Sequence, residues 1–410
     1  MKINNLKKYK SANIFLLLGA VVILASCNKD LPNAQPIPIP DSNPVGTSLG
    51  MEISTNPDYS IYKAAATRVG MLPLLMDSSK VFTILLPNNA AFIASGIPSV
   101  DVINALPISS VGGIVQFSMI PGEQWTSDKI PETFPNIQLP TSITIGVLPG
   151  TTIPLKMSVF LSKRGSNVWA NTIPVVKADN KFRNGVIHVM AAVVSPASQV
   201  LRDAMYANPE LAYFKAAIAR ADSGQSGLAK LDSLLGYGVT NMTVLAPNNA
   251  AFQTLIFGLA FQGYLSQVPN PTAMDTAIAT ATGNGAVAAG PAFLSTNNVS
   301  TALVKGLMAY HFLATNTPAG FQPNIRVFSN NFATTPTLVT TLVNAGVAVH
   351  PGILAQATFA PGSPFVATLT FTGYAGAAVP FGSAPAQAVQ KDKFAINGVY
   401  HVIDKVLLPQ

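Results

Sequence analysis

Hydrophobic and polar positions divide the chain into a short leader and two long stretches of similar pattern. An unbroken apolar run, Ile14 to Ala25, follows Lys2, Lys7, Lys8 and Lys10. Further on, helical stretches are predicted from Ile61 to Leu75 and from Leu211 to Leu235, each with an aromatic-Lys-Ala-Ala core at Tyr62–Ala65 and Phe214–Ala217. A β-rich run comes next in both, Val81–Leu86 or Met242–Ala246, ending at Pro87 or Pro247. The Asn88-Asn89 and Asn248-Asn249 pairs that follow are helix-start chemistry, because an asparagine side chain caps free backbone N–H groups. Each half closes on Asn-Gly, Asn184-Gly185 or Asn397-Gly398. That pair predicts a hairpin, since both residues tolerate positive φ. A strand then runs over Val186–Val194 or Val399–Leu408.

The similarity is a duplication. Phe82–Phe92 and Met242–Phe252 share eight of eleven residues at an offset of 160, and Asn184–Val189 and Asn397–Val402 share five of six at an offset of 213. Two ordered matches mark a tandem repeat. The growth in offset gives the second copy 53 extra residues. They fall around Phe261–Ser300, rich in Ala, Thr and Gly, and in Phe332–Ala386, where Thr, Val and Pro favour β-structure.

The leader has a charged start, a short apolar run and small residues before Cys27, which reads as a secretory signal over residues 1–26. The run is too short for a spanning helix, which needs roughly 20 residues. Leu24-Ala25-Ser26-Cys27 resembles the bacterial lipobox, whose cysteine is diacylated and becomes the new N-terminus. Two acyl chains suffice for stable anchoring. Asn28-Lys29-Asp30 lacks an Asp directly after the cysteine and resembles the surface-export signal of Bacteroidetes lipoproteins. The expectation is an exported protein, lipid-anchored through Cys27 to the outer membrane, facing the cell surface or the periplasm. Prolines 32, 36, 38, 40 and 44 make residues 27–50 a tether, and its Pro-rich core spans about 45 Å at ~3.1 Å per residue. Two domains are expected beyond it, 51–197 and 202–410, the second carrying the insertions.

Cys27 is the only cysteine, which excludes internal disulfides and Cys-based metal sites. Loss of residues 1–26 removes four lysines and no acid, lowering the net charge from +7 to +3. That value gives little reason to expect nucleic acid as a partner.

A strand ending in Pro-Asn-Asn-Ala-Ala-Phe, a Tyr-His segment and a closing Asn-Gly-x-x-His-Val together resemble the fasciclin domain. The second copy has all three, with Tyr310-His311 in the middle, whereas the first has Phe117-Ser118 there. The resemblance covers both halves and implies an α+β fold: two tandem fasciclin-like domains, each a β-wedge or sandwich flanked by helices. It also implies adhesion, and in animal members the Tyr-His segment belongs to an adhesive surface. Tyr310 and His311 are therefore candidate interaction residues; the competing reading packs them in the core beside Leu307, Met308 and Phe312.

Two motifs mimic chemistry. Gly46-Thr47-Ser48-Leu49-Gly50 has the form of a nucleophile elbow but follows a linker instead of a strand. Gly283–Ala288 mimics a dinucleotide-binding turn and is expected to be a loop. The histidines at 188, 311, 350 and 401 lack metal-ligand spacing, so neither a metal nor a cofactor is expected. His188 and His401 sit at equivalent places in the closing strands and read as structural hydrogen-bonding groups. The expected function is a non-catalytic adhesion or binding module with a protein or glycan surface partner. The alternatives are a glycan or small-ligand accessory to an uptake system, a structural envelope or matrix component, and a hydrolase built on Ser48.

Overall fold

The computed structural model describes residues 46–132, 136–148, 150–295, 299–317, 320–374 and 384–409. Cys27, the leader and the tether up to residue 45 lie outside them. The first half runs through helices α1 (Leu49–Thr55), α2 (Ser60–Arg68) and α3 (Leu72–Met76) into strand β1 (Phe82–Pro87). Helices α4 (Asn89–Ala94), α5 (Val100–Ala105) and α6 (Ile108–Phe117) lead to β2 (Met119–Pro121), β3 (Ile137–Val147), β4 (Pro154–Arg164), β5 (Asn167–Ala170), β6 (Ile173–Phe182) and β7 (Gly185–Met190). These strands form one sheet in the order β2-β1-β7-β6-β5-β4-β3. Only β1 and β7 pair in parallel.

The second half repeats the plan. Helices α7 (Leu201–Tyr206), α8 (Ala212–Ala221) and α9 (Leu231–Gly236) precede β8 (Met242–Pro247), and α10 (Asn249–Leu265), α11 (Ala273–Ala288) and α12 (Thr301–Tyr310) follow it. The strands after them are β9 (Thr315–Thr317), β10 (Gly320–Gln322), β11 (Thr337–Val339), β12 (Ile353–Phe359), β13 (Val366–Thr372), β14 (Ala386–Ala395) and β15 (Gly398–Ile403). The main sheet runs β11-β12-β13-β14-β15-β8, with β8 and β15 parallel. Each half is thus a curved sheet with flanking helices, the expected α+β class.

Strands β1 and β8 are buried along their whole length, which is why they read as continuous apolar runs. Side-chain alternation still divides them between two cores. Phe82, Ile84 and Leu86 join the helical core, while Leu85 faces Phe117, Ile120 and Val159 across the sheet. Met242, Val244 and Ala246 likewise face the helices, and Leu245 faces the opposite core.

Several expectations are revised. The folded unit starts earlier than residue 51: Ser48 caps α1 by accepting from Met51 N–H, and Leu49 is fully buried. The tether boundary at 50 therefore moves back, because those residues bury apolar surface in the first core. Leu201 likewise belongs to the second half, in α7. The helical stretches break, at Gly70 between α2 and α3 and at Gly224 between α8 and α9, where φ is +69° and +77°. Such left-handed positions end helices and suit glycine. Gly283–Ala288 is no loop; it forms the last turns of α11. A Cβ on Gly283 would lie 2.6 Å from Phe257 Cδ2, so this glycine lets α11 pack closely on α10.

The hairpins form as expected, with Phe182 opposite Gly185 and Ala395 opposite Gly398. The reason for the glycine differs from the expected turn geometry. A Cβ at Gly185 would meet Phe82 O at 2.1 Å, and one at Gly398 would meet Met242 O at 2.4 Å. Close approach of the parallel neighbour demands glycine at both positions, and Gly185 also holds a positive φ of 158°.

Residues 46–410 form one compact unit, so the two halves are packed together. At their junction the Arg326 guanidinium lies 4.7 Å from the Phe160 ring centroid and 5.2 Å from that of Phe394. Phe328 packs against both rings. Arg326 Nη2 donates to Ile396 O at 2.9 Å, while Nε has no partner among the described residues. Burial lowers its pKa to about 9, which leaves it charged at neutral pH. Two aromatic faces thus hold a cation that has no acidic partner among the described residues. Asn330 Nδ2 to Ser162 Oγ and Trp169 Nε1 to Pro364 O add hydrogen bonds across the junction.

Candidate functional site

The duplicated motifs build the same set of contacts twice. Asn88 Oδ1 accepts from Ala91 N–H at 2.9 Å and Asn248 Oδ1 from Ala251 N–H at 2.8 Å, capping α4 and α10. The second asparagine of each pair serves a different helix. Asn89 Oδ1 accepts from Ile61 N–H and its Nδ2 donates to Pro57 O. Asn249 does the same with Tyr213 N–H and Pro209 O. Pro87 and Pro247 end their strands opposite Met190 and Ile403.

Asn184 and Asn397 are buried tie points. Asn184 Oδ1 accepts from Leu49 N–H at 2.8 Å, and Nδ2 donates to the carbonyls of Leu75 and Asp77. Asn397 repeats this with Leu201 N–H, Leu235 O and Tyr237 O, and adds Thr240 Oγ1. One side chain thereby joins the hairpin turn to the start of one helix and the end of another.

His188 and His401 are also internally satisfied. His401 Nδ1 accepts from Asp392 N–H at 3.3 Å, so the proton sits on Nε2, which donates to Val327 O at 3.1 Å. His188 does likewise with Asp179 N–H and Trp125 O. Burial lowers the pKa of both rings. Asp179 and Asp392 hold left-handed backbone, φ 60° and 57°, beside irregular registers in β6 and β14. Their carboxylates accept from the N–H and hydroxyl of Ser127 and Ser329. These Asp–Ser clasps escaped the sequence reading. Their one signal was that Asp179 and Asp392 share the offset of 213 that relates the closing motifs.

The Tyr310-His311 pair offers no interaction surface: both residues are fully buried. Tyr310 Oη donates to Gly352 O at 2.6 Å and accepts from Tyr374 N–H at 2.9 Å. Leu407 N–H donates to His311 Nε2 at 3.0 Å, which puts the proton on Nδ1, facing Leu307 O at 2.8 Å. Burial drops the His311 pKa to about 4. The pair belongs to the core because the chain reaches it from α12, whose last turn points inward.

Ser48 is the cap of α1, its hydroxyl accepting from Met51 N–H at 3.2 Å. Among the described residues no group of three His, Cys, Asp or Glu could hold a metal ion, and no helix is long and apolar enough to cross a membrane.

Two surfaces remain as candidates for contact with other molecules. One is the α10–α11 hairpin, where Leu259, Met274 and Ile278 are 48%, 70% and 40% exposed. Asp275 is the only charged residue between 249 and 300. The other is a cavity of about 360 Å³ between the halves, with Glu132 and Arg164 on one side and Asn331, Leu338 and Val339 on the other. Sequence inspection could reach the first through its lack of charge. It had no signal for the second, whose walls lie more than 160 residues apart in the chain.

No functionally curated protein matches the chain. Among solved structures, a FAS1 domain pair from the insect cell adhesion molecule fasciclin I aligns at 13% identity over 88% of this chain and 95% of its own. The TM-score is 0.32, a superposition too loose to relate individual positions. A family model described as the Fasciclin domain matches residues 57–196. The match covers most of the first half of the chain, and the second half repeats the motifs, sheet pairing and buried asparagine contacts of that matched region.

Proposed function

We propose that this protein is a non-catalytic adhesion module, held at the membrane by lipid on Cys27, that grips a protein partner through the second half. The observation that carries this reading is the α10–α11 hairpin. Helix α10 is uncharged and mostly apolar, Gln253, Thr254 and Gln262 aside, yet only Ala251, Phe252 and Ile256 are buried along its seventeen residues. A helix this apolar normally lies in a core. Here Leu259 is exposed on α10, and Met274 and Ile278 are exposed on α11. Charge depletion around exposed Leu, Met and Ile matches the central patch of protein interfaces.

Location supports the reading. The hairpin lies in the extra sequence of the second copy, where loops added to a constant scaffold vary in specificity. The Pro-rich tether would hold the unit clear of the lipid. Adhesion of cells displaying the full chain, compared with cells displaying Leu259→Lys/Ile278→Lys, tests the idea. Loss of adhesion at equal surface display and unchanged melting temperature is expected. Adhesion equal to the parent would sink the assignment of this face.

A further inference from the structure

We propose that the cavity between the two halves binds a small zwitterion, a free α-amino acid with an aliphatic side chain, its carboxylate on Arg164 and its ammonium on Glu132. This goes beyond the adhesive reading and does not depend on it, since the α10–α11 face contributes no residue to the cavity.

The cavity, about 360 Å³, falls within the size range of small-molecule sites and lies at a domain junction, where such sites concentrate. One cation and one anion face it. Side chains alternate along β4, so Arg164 shares a face with Ser162 while Lys163 lies on the other. Arg164 Nη2 donates to Phe332 O at 2.6 Å and Asn330 O at 3.3 Å, and the guanidinium lies 5.1 Å from the Phe359 ring centroid. Glu132 Oε1 accepts from Gly165 N–H at 2.9 Å, on the residue next to Arg164. Burial lowers the Arg164 pKa and the Glu132 charge raises it, so the two groups feel each other. No ion pair within 4.0 Å joins them.

What these bonds leave over defines the ligand. Arg164 carries five N–H donors and spends the two on Nη2, so Nε and Nη1 have no partner among the described residues. The second oxygen of Glu132 has none among them either, and Asn330 Oδ1 is a buried acceptor without one. Asn331 Oδ1 is taken by Phe328 N–H and by Asn136 Nδ2 of the other half, which leaves the Asn331 amide N–H groups to donate. The charges balance, so a singly charged ligand of either sign would set its charge beside a like one. A neutral ligand would strip water from both charges and return no counter-charge. An α-amino acid carries both charges on one carbon. Its carboxylate accepts from Arg164 and Asn331, and its ammonium has three donors for Glu132 and Asn330. Leu338, 54% exposed, and Val339 supply an apolar wall for its side chain. Both halves contribute, so the site exists only because they are packed together.

Titration of the full chain in detergent with L-leucine at neutral pH, followed by calorimetry, tests the proposal. The controls are isocaproate, which lacks the ammonium, isoamylamine, which lacks the carboxylate, and D-glucose. Saturable leucine binding, at least tenfold tighter than any control, is expected. Glu132→Gln keeps an acceptor for Gly165 N–H but removes the charge, and should weaken leucine binding about tenfold with unchanged melting temperature. The same variant should bind isocaproate more tightly than the parent does, because a like charge is gone, an effect that a merely structural role for Glu132 would not produce. Leu259→Lys should bind leucine as the parent does, which separates this site from the adhesive face. Absence of saturable leucine binding, equal affinity for any control, or leucine affinity indifferent to Glu132→Gln overturns it.

Discussion

The Tyr62 hydroxyl lies 2.8 Å from the Ser118 hydroxyl in the first core, and the second copy replaces the two residues together, by Phe214 and His311. Equivalence of the positions is fixed by the backbone, where Leu85 N–H donates to Ser118 O and Leu245 N–H to His311 O, each at 2.8 Å. In the first copy the serine also donates to Val115 O. In the second, the histidine finds its partners in Leu307 and Leu407, so the aromatic opposite needs no hydroxyl. Removal of one partner should strand a buried polar group. Tyr62→Phe and Ser118→Ala are each expected to cost about 1–2 kcal/mol. The double variant should fall short of their sum, and denaturant titration of the four-membered cycle reads the coupling.

The buried asparagines are more costly to lose. Asn397→Ala leaves Leu201 N–H and the carbonyls of Leu235 and Tyr237 without their bonds. The expected destabilisation is about 3 kcal/mol, from several unsatisfied groups at once. Asn184→Ala should act the same way on the first half. Calorimetry of each variant reads the loss.

Glycine at the hairpins is required by contact. The Cβ in Gly398→Ala would press on Met242 O at 2.4 Å and Leu201 Cδ1 at 2.3 Å, and backbone cannot move aside as a flexible side chain can. A loss of about 3 kcal/mol is expected. Gly238→Ala serves as the control, since a Cβ there meets nothing within 4 Å. A change at that position comparable to Gly398→Ala would refute the contact explanation.

Acid should weaken the fold through its buried histidines. The folded pKa of His311 is about 4, against an ordinary value of 6.5. Between these values the unfolded chain binds a proton that the folded ring refuses, so stability rises with pH. It is fully present above about 6.5 and is lost as pH falls toward 4, on the order of 3 kcal/mol for this group. His188 and His401 shift in the same direction. Melting temperature measured from pH 7 to pH 4 should fall, and His311→Gln should flatten part of that slope.

Anchoring is testable without the fold. If lipid on Cys27 anchors the chain as proposed, Cys27→Ser should abolish incorporation of labelled fatty acid and release the chain from the membrane fraction, since two acyl chains suffice for stable attachment. Retention of label in that variant would place the lipid elsewhere.

Local and repeated features were legible in the sequence. The duplication, the buried strands β1 and β8, the Asn88 and Asn248 caps and the two hairpins all follow from residues a few positions apart, where backbone preference and side-chain capping act. The same signals misled where a local motif had a distant reason. Gly185 and Gly398 suggested turn geometry, but strands entering from about 100 and 150 residues earlier require them. Gly283 suggested a loop, but the ring of Phe257 on a neighbouring helix explains it. Tyr310-His311 could not be assigned to surface or core until α12 was placed against β8 and β12. Packing of the halves around Arg326 and the cavity beside Arg164 depend on contacts between the two copies. The sequence by itself determined that there are two copies of one α+β plan. Tertiary structure alone decided which of their polar residues are used up inside and which remain free to bind, because side chains find those partners across long stretches of chain.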